Sequence, residues 1–506
     1  MGEETQGSRS DSLALYPESR FILSGTSKQV LRNSAIRAGG YSFGAALFFA
    51  AFVLIARYLG TTGFGHFSFI MAFAGIFQLL ADMGVRNILI RNIALDKTRF
   101  REHLSVARSL LWIFSLVSIV SIVAISHLID STDEIRQSTW IAGLAVVFIF
   151  YGLGYSAVLR AFEEMGWDIL GFVLHKIVFI LLVLAVRKTD FGLRGVFGAM
   201  LAANACQWLY FWVVVSLRHG RAKLSLDLRA SRLLLSEAFP LGIAEILKRL
   251  TRHVDKLLLT ALSTPAAVGI FSAGYKFIEA IHPLLINLTL PLFPIFSRMA
   301  RTSPAQLFSA YEQSLKFIYA AGLPLAVVVF VFSERITVLF FGEAYREAAL
   351  ALSIIAPAIV FLLSTSTFGY VFTAMGHQRT YMICIAASLV VNTLLDLMLI
   401  PTHSYVGAAI GTLAAETFLF SAGLLALRRL GDDSAGLRLL WRPCLAGLAM
   451  GTACWIVRDE TFPMIMAGTL GSFALYVVLL FLLQTFTREE RVLLTDAFRL
   501  RLGNPT

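Results

Sequence analysis

Six ionisable side chains, Glu245, Lys248, Arg249, Arg252, Asp255 and Lys256, recur at three- and four-residue spacing inside an otherwise apolar stretch. In a helix this spacing gathers them on one stripe, which covers about 16 Å at a rise of about 1.5 Å per residue. An ionised side chain facing lipid is strongly disfavoured, so such a stripe within a membrane-spanning segment calls for an internal polar cavity. Glu245 can pair with Lys248 or Arg249, and Asp255 with Arg252, leaving two positive charges in excess. The chemistry that fits is capture of an anion: guanidinium offers a planar fork of donors for phosphate, and ammonium a mobile point charge. The length of the stripe suits an extended headgroup better than a small ion. Partial neutralisation by Glu245 and Asp255 suits transient binding, because a transported ligand must also leave.

Other apolar segments supply groups for the same chamber. Asp82 and Arg86 are one turn apart, Lys276, Glu279 and His282 run along one side of a later segment, and Lys176, Asp396 and Glu416 are isolated charges. For Asp82, Asp396 and Glu416 a satisfied interhelical pair or a snorkelling side chain is the plainer role. The expected substrate-binding set is therefore Arg86, Glu245, Lys248, Arg249, Arg252, Asp255, Lys256, Lys276 and Glu279. Phe271, Tyr275 and Phe277 could stack on sugar faces, although their helical spacing fits ordinary packing better.

The elements that must hold these groups follow from composition. Apolar residues make up 57% of the 506 positions, with 41 Phe and a mean hydropathy of +0.75, which marks an all-α polytopic membrane protein. About fourteen apolar runs of spanning length are expected near residues 35–56, 67–90, 105–126, 138–159, 169–186, 195–217, 233–262, 267–296, 311–332, 349–373, 380–400, 405–427, 443–457 and 462–486. An even number leaves both termini on one side. The N-terminal arm, the even-numbered loops and the C-terminal tail hold roughly three times as many Lys and Arg as the odd-numbered loops, so both termini are expected to be cytoplasmic, with the protein in the plasma (inner) membrane.

This asymmetry accounts for the formal charge of +11. No basic groove interleaved with aromatics indicates nucleic acid. The N-terminal arm contains Asp11 and Glu18 and lacks the pattern of a cleaved export signal. The four cysteines form no CxxC pair, so neither a disulfide framework nor a thiolate metal site is indicated. There is no P-loop, HExxH or GxSxG, and Glu163–Glu164 is best read as a solvated turn, so no enzyme activity and no cofactor are expected. Without an ATP motif, transport would draw on an ion gradient, on the substrate gradient or on downstream consumption.

The two halves of the chain resemble each other. GFGHF at 63–67 answers AVGIF at 267–271 at an offset of 204, AFEEMG ending at Gly166 answers FTAMG ending at Gly376 at 210, and FGLRGVFGAM at 191–200 answers YVGAAIGTLA at 405–414 near 212. Matches in one order with slowly drifting offsets argue for two pseudo-symmetric six-helix bundles, able to rock around a shared cavity. The expected layout is an N-terminal cytoplasmic arm (1–34), a first bundle (35–217), a basic linker (218–232), a second bundle (233–427), a cytoplasmic loop (428–442), two further helices (443–486) and a cytoplasmic tail (487–506). The added pair carries a GxxxG at Gly447 and Gly451, a spacing that permits close helix contact.

Three stretches, GTTGFGHFSFIMAFAGIFQLLADMGVRNILIRNIA at 60–94, KRLTRHVDKLLLTALSTPAAVGIFSAGYKFI at 248–278, and FTAMGHQRTYMICIAASLVVNTLLDLMLIP with YVGAAIGTLAAE at 372–416, carry a family resemblance. The chain resembles the polysaccharide biosynthesis transporters, the O-antigen and exopolysaccharide flippases of the multidrug/oligosaccharidyl-lipid/polysaccharide (MOP) superfamily, from about residue 30 to 486. That resemblance implies a V-shaped pair of bundles translocating an undecaprenyl-diphosphate-linked oligosaccharide to the outer leaflet, its headgroup in a cationic cavity and its tail in the bilayer. It implies coupling to H+ or Na+ in some members, an Asp of span seven matched by Asp255, and a basic cavity matched by Lys248, Arg249 and Arg252. Membrane lipids, a polysaccharide polymerase and glycosyltransferases are the implied partners.

Alternatives remain. A multidrug/cation antiporter of the same superfamily would favour cavity carboxylates over cations. A peptidoglycan-precursor flippase shares the plan and the basic cavity, and a polymerase or scaffold would need a large external loop. On the flippase reading, Arg249→Glu or Arg252→Glu should abolish transport while leaving membrane insertion intact. Polymer export that survives both changes would show the phosphate site to be wrong.

Overall fold

The computed structural model describes residues 25–128, 132–223, 227–289, 292–431, 436–486 and 490, and among these the only regular structure is helical. Helix α1 (Gly25–Asp82) bends at Gly60, where a φ of 67° and ψ of −178° favour a residue without a Cβ. It is followed by α2 (Val85–Leu95), α3 (Phe100–Ser126), α4 (Asp133–Ala161), α5 (Met165–Val186) and α6 (Gly192–Arg218). The second half comprises α7 (Leu228–Leu262), α8 (Pro265–Thr289), α9 (Leu292–Thr302), α10 (Pro304–Val331), α11 (Ser333–Phe341), α12 (Ala348–Ile355), α13 (Ala358–Ala374) and α14 (Gln378–Arg429), which bends at Ser404. Helices α15 (Gly436–Ile456) and α16 (Phe462–Leu482) close the order.

The expected apolar runs fall on these helices, with three adjustments. The second is interrupted at Met83 and Gly84, both at positive φ. The eighth runs past the end of α8 into α9, and the tenth is split into α12 and α13 at Pro357 with a bend of 43°, as a ring lacking a backbone N–H disfavours continuation. Among the described residues, eight helices are long and apolar enough to cross a membrane, or nine when the α12–α13 pair counts as one. The chain is thus an all-α, multi-pass membrane protein.

Local chemistry sets the α7–α8 hairpin that carries most of the charge. Asp227 caps α7, its Oδ1 accepting from the N–H groups of Arg229 (2.9 Å) and Ala230 (3.0 Å). Pro265 opens α8, where its missing N–H is harmless, and the Ala267 N–H donates to Thr264 Oγ1 (3.2 Å). Ser263, in the turn between them, shares a 2.7 Å hydrogen bond with Ser404 at the bend of α14.

Beside this turn α1 and α8 cross at backbone contact. A Cβ on Gly65 would lie 1.7 Å from the carbonyl oxygen of Pro265, and one on Gly269 would lie 2.0 Å from that of Thr61. The contact is reciprocal: Gly65 with Gly269, and Thr61 with Pro265, are each 204 residues apart, the offset that relates GFGHF to AVGIF. At the same end Arg57 donates to the carbonyls of Phe340 and Leu339, both at 2.7 Å, and the Tyr345 hydroxyl donates to that of Ala56 at 2.9 Å.

Left-handed backbone positions repeat along the chain. Glu163 and Gly376, Gly192 and Ser404, and Gly220 and Gly431 are separated by 213, 212 and 211 residues. The counterpart of Gly376 in the AFEEMG turn is accordingly Glu163 (φ 63°), three residues before Gly166, which instead opens α5. Helix α15 packs on α10 through its GxxxG face, where Cβ atoms on Gly447 and Gly451 would sit 3.7 Å from Leu323 and Val327.

These distances separate obligatory glycines from permissive ones. Gly65→Val and Gly269→Val should each lower the thermal unfolding temperature in detergent, by about 1–3 kcal/mol of overpacking. Gly447→Ala should shift it little, and equal effects at all three positions would refute the crossing as a tight contact.

Candidate functional site

Helices α1, α5, α7, α8 and α14 enclose a cavity of about 530 Å³. Arg249, Arg252, His253 and Lys256 of α7 line it, an i, i+3, i+4, i+7 set that shares one helical face. Lys276 and Glu279 enter from α8, Lys176 from α5 and Glu416 from α14.

One carboxylate organises two of these cations. Glu279 Oε1 accepts from Lys256 Nζ at 3.1 Å, and Oε2 accepts from Lys276 Nζ. Aromatic rings of α1, α5 and α8 hold the lysines from their other sides. Lys276 Nζ lies 3.6 Å from the centroid of Phe52 and Lys256 Nζ lies 5.0 Å from that of Tyr275. Lys176 Nζ lies 4.0 Å from Phe48 and 5.1 Å from Phe172. Such contacts contribute about 0.5–2 kcal/mol each. Arg249 Nη1 reaches Gln78 Oε1 of α1 at 3.4 Å. Among the described residues, five cations (Lys176, Arg249, Arg252, Lys256 and Lys276) thus face two carboxylates, Glu279 and Glu416.

Asp255 turns away from this surface. At about 100° per residue it points some 120° from the Arg249–Lys256 direction, and its Oδ2 accepts from Thr412 Oγ1 of α14 at 3.0 Å. Asp396 and Asn392 stand beside it. Both oxygens of Asp396 and the amide nitrogen of Asn392 are buried without a hydrogen-bond partner among the described residues. Gly411 makes room for this carboxylate, since a Cβ there would lie 2.3 Å from Asp396 Oδ1. Among the described residues no group of three or more His, Cys, Asp or Glu side chains converges to hold a metal ion. The Asp255–Asp396–Asn392–Thr412 set is an oxygen-rich pocket between α7 and α14.

Comparison with known proteins places this geometry. The family described as "Polysaccharide biosynthesis protein" matches residues 30–300, more than half of the chain, and the MatE family matches residues 240–398. The chain belongs to the polysaccharide biosynthesis protein family. Similar members of known description include a candidate O-antigen transporter from Escherichia coli (strain K12), 23% identical over 74% of this chain and 91% of that protein. A candidate low-salt glycan biosynthesis flippase from Haloferax volcanii is 23% identical over 73% of this chain and 77% of its own length. Among solved structures, lipid II flippase MurJ in an inward closed conformation matches with a TM-score of 0.74 at 16% identity, over 89% of this chain and 99% of that one. An inward-facing multidrug resistance MATE transporter matches with a TM-score of 0.65 at 16% identity, over 79% and 100%. The fold is that of the MOP-superfamily transporters, and the matched proteins are transporters and flippases rather than enzymes.

Within this member of the polysaccharide biosynthesis protein family, the expected site residues separate into groups. Arg249, Arg252, Lys256, Lys276 and Glu279 converge on the cavity. Arg86 does not: it sits in the first turn of α2, outside the cavity lining, because the break at Met83–Gly84 ends the helix that would have carried it inward. The expected Arg252–Asp255 pair is not formed: Arg252 lines the cavity, whereas Asp255 accepts from Thr412 of α14. Glu245 and Lys248 lie on α7, and Asp82 on α1, but their side chains fall outside the described residues.

Lys176 joins the site as the isolated cation legible in the fifth apolar segment. His253 lay within the charged stripe, whereas Gln78, Phe48, Phe52 and Phe172 carry no signal that separates them from packing residues. Phe271 is fully buried and stacks on Tyr275, while Phe277 packs on Phe49, Phe340 and Phe341, so both are core. Gly411→Ala should push Asp396 out of its pocket, lowering thermal stability and transport together. Normal transport in that variant would remove any functional role for the pocket.

Proposed function

We propose that this chain is a flippase that moves a polyprenyl (undecaprenyl)-diphosphate-linked oligosaccharide from the cytoplasmic to the outer leaflet for cell-surface polysaccharide assembly. The observation that carries this reading is the sign of the cavity: among the described residues, five cations against two carboxylates inside a membrane-embedded transporter fold. A polyvalent anion supplies the missing charge, and an aromatic wall leaves space for an amphipathic headgroup whose lipid tail stays in the bilayer. A cation antiporter would need the opposite balance. Lipid II shares the diphosphate and therefore remains the alternative substrate, while the candidate O-antigen and glycan relatives favour the polysaccharide branch.

On this reading the chain crosses the membrane fourteen times, with both termini cytoplasmic. The bends at Gly60 and Ser404 divide α1 and α14 into two spans each, and α7, α8 and α15 supply three further spans. Bundles at 35–217 and 233–427, joined by the basic linker 218–232, are supported by the repeating left-handed positions and the reciprocal Gly65–Gly269 contact. The helices at 443–486 are an appendage, and Trp441 and Trp455 under Arg442 and Arg458 mark the two interfaces of α15. The Gly65–Gly269 end then faces outward and is closed. The polymerase and glycosyltransferases act before and after the flip as partners in the same membrane.

Coupling is assigned to the Asp255–Asp396 pocket. Two carboxylates buried together cannot both stay ionised without a proton or a cation between them, and α7 carries Asp255 next to Lys256 of the substrate cavity.

The test is reconstitution in liposomes with a fluorescent undecaprenyl-diphosphate oligosaccharide in one leaflet, scored by a membrane-impermeant quencher. Protein-dependent exposure that responds to an imposed H+ or Na+ gradient, and loses that response in Asp396→Asn, is expected. Equal exposure with empty vesicles sinks the flippase reading, and preference for lipid II selects the alternative substrate.

A further inference from the structure

Glu279 neutralises two cavity lysines from opposite helices, Lys256 of α7 and Lys276 of its own α8. This arrangement differs from another buried Lys–Glu bridge among the described residues, Lys316 with Glu490. There both side chains are sealed, at 4% and 10% exposure, whereas the Glu279 side chain is 28% exposed and lines the cavity. A ligand entering the cavity can therefore reach the carboxylate and compete with it.

Across the cavity Lys176 has no ion pair with any described residue and is held by the rings of Phe48 and Phe172. Phe48 is shared: Lys276 Nζ lies 5.6 Å from the same centroid from which Lys176 Nζ lies 4.0 Å. The two ammonium groups are thus at most about 9.6 Å apart around one ring. One already has a carboxylate and the other has none. A diphosphate carries negative charge on two phosphoryl groups in series, so within that limit each ammonium can pair with its own phosphoryl group.

We infer that Glu279 is a resident stand-in for a diphosphate. It holds Lys256 and Lys276 while the cavity is empty, and an entering diphosphate displaces it and pairs with Lys276 of α8 and Lys176 of α5 around Phe48. This deepens the flippase reading and rests on it, since the diphosphate is that of the lipid-linked substrate. The exchange has two consequences. Binding a polyanion breaks two existing ion pairs, so the net affinity is moderate. The return of Glu279 to the lysines then offsets part of the free energy needed to release the headgroup. The diphosphate also joins α5 to α8 as no described ion pair does in the empty cavity.

Inorganic pyrophosphate and inorganic phosphate are the probes, titrated calorimetrically into the purified full-length protein in detergent at fixed ionic strength. Glu279→Gln should bind pyrophosphate at least tenfold more tightly than wild type and flip more slowly in liposomes. Lys176→Gln should weaken pyrophosphate binding at least tenfold and remove its preference over phosphate, with a lower unfolding temperature from the lost contacts to Phe48 and Phe172 but a folded protein. Should Glu279→Gln fail to fold, Glu279→Asp is expected to give a smaller gain of the same sign.

Unchanged or weaker pyrophosphate binding in the Glu279 variants, or unchanged preference in Lys176→Gln, overturns the stand-in while wild-type flipping preserves the flippase reading. A wild-type protein that binds pyrophosphate as expected but flips nothing overturns the flippase reading instead. Neither binding nor flipping overturns both.

Discussion

A cation inside a bilayer-embedded bundle must be paired, hydrated or held by aromatic faces, and the interior of this protein is arranged around that requirement. The Lys256–Glu279–Lys276 bridge meets it at the junction of α7 and α8. One carboxylate thus joins α7 to α8 at the cavity wall, setting how the two helices face each other. The tight turn at Ser263–Pro265 and the cap at Asp227 place the helices within reach. The rings of Phe52 and Tyr275 then fix where the ammonium groups rest. Arg249 extends the arrangement to α1 through Gln78, so one charged face of α7 addresses both halves of the chain.

The two ends of the bundle are closed by different chemistry. At the Gly65–Gly269 end the contact is backbone against backbone, reinforced by Arg57 on the terminal carbonyls of α11. At the opposite end Gly242 of α7 packs against the Met83 backbone, where its Cβ would lie 2.8 Å away, and Arg91 of α2 pairs with Glu237 of α7. That pair is solvent-exposed, of a kind worth at most about 1 kcal/mol. Each end thus combines one close backbone approach with side-chain bonds, to the carbonyls of α11 at the first and between exposed charges at the second.

Much of this was legible in the sequence because charge is rare in an apolar chain. The stripe from Arg249 to Lys256, the α8 pair and Lys176 stand out against segments of Leu, Ile and Phe. The GFGHF–AVGIF match signalled an internal repeat, and the glycines it aligns form the α1–α8 crossing, where the close backbone approach requires glycine. Three features were illegible for physical reasons. Asp255 shares the spacing of the stripe, but its direction depends on an angle that three- and four-residue counting blurs. Arg86 looked like an extension of the second segment, since nothing in ADMGVRN shows that Met83 would join Gly84 at positive φ. The cavity aromatics carry no mark, because Phe48 and Phe172 are chemically identical to the many phenylalanines that only pack.

The neighbouring positions 255 and 256 give α7 a further property. Asp255 faces the carboxylate pocket of α14, and Lys256 faces Glu279 of α8. A change of charge in the pocket acts on one face of a helical turn whose next residue, Lys256, lines the cavity. Because α7 is rigid on the scale of one residue, a rotation that improves one contact must strain the other. Two ligands that prefer different rotations of the same helix are thermodynamically linked, whatever the distance between their own atoms. Charge in the pocket and charge in the cavity therefore act on one mechanical element, which is the minimum a coupled carrier requires.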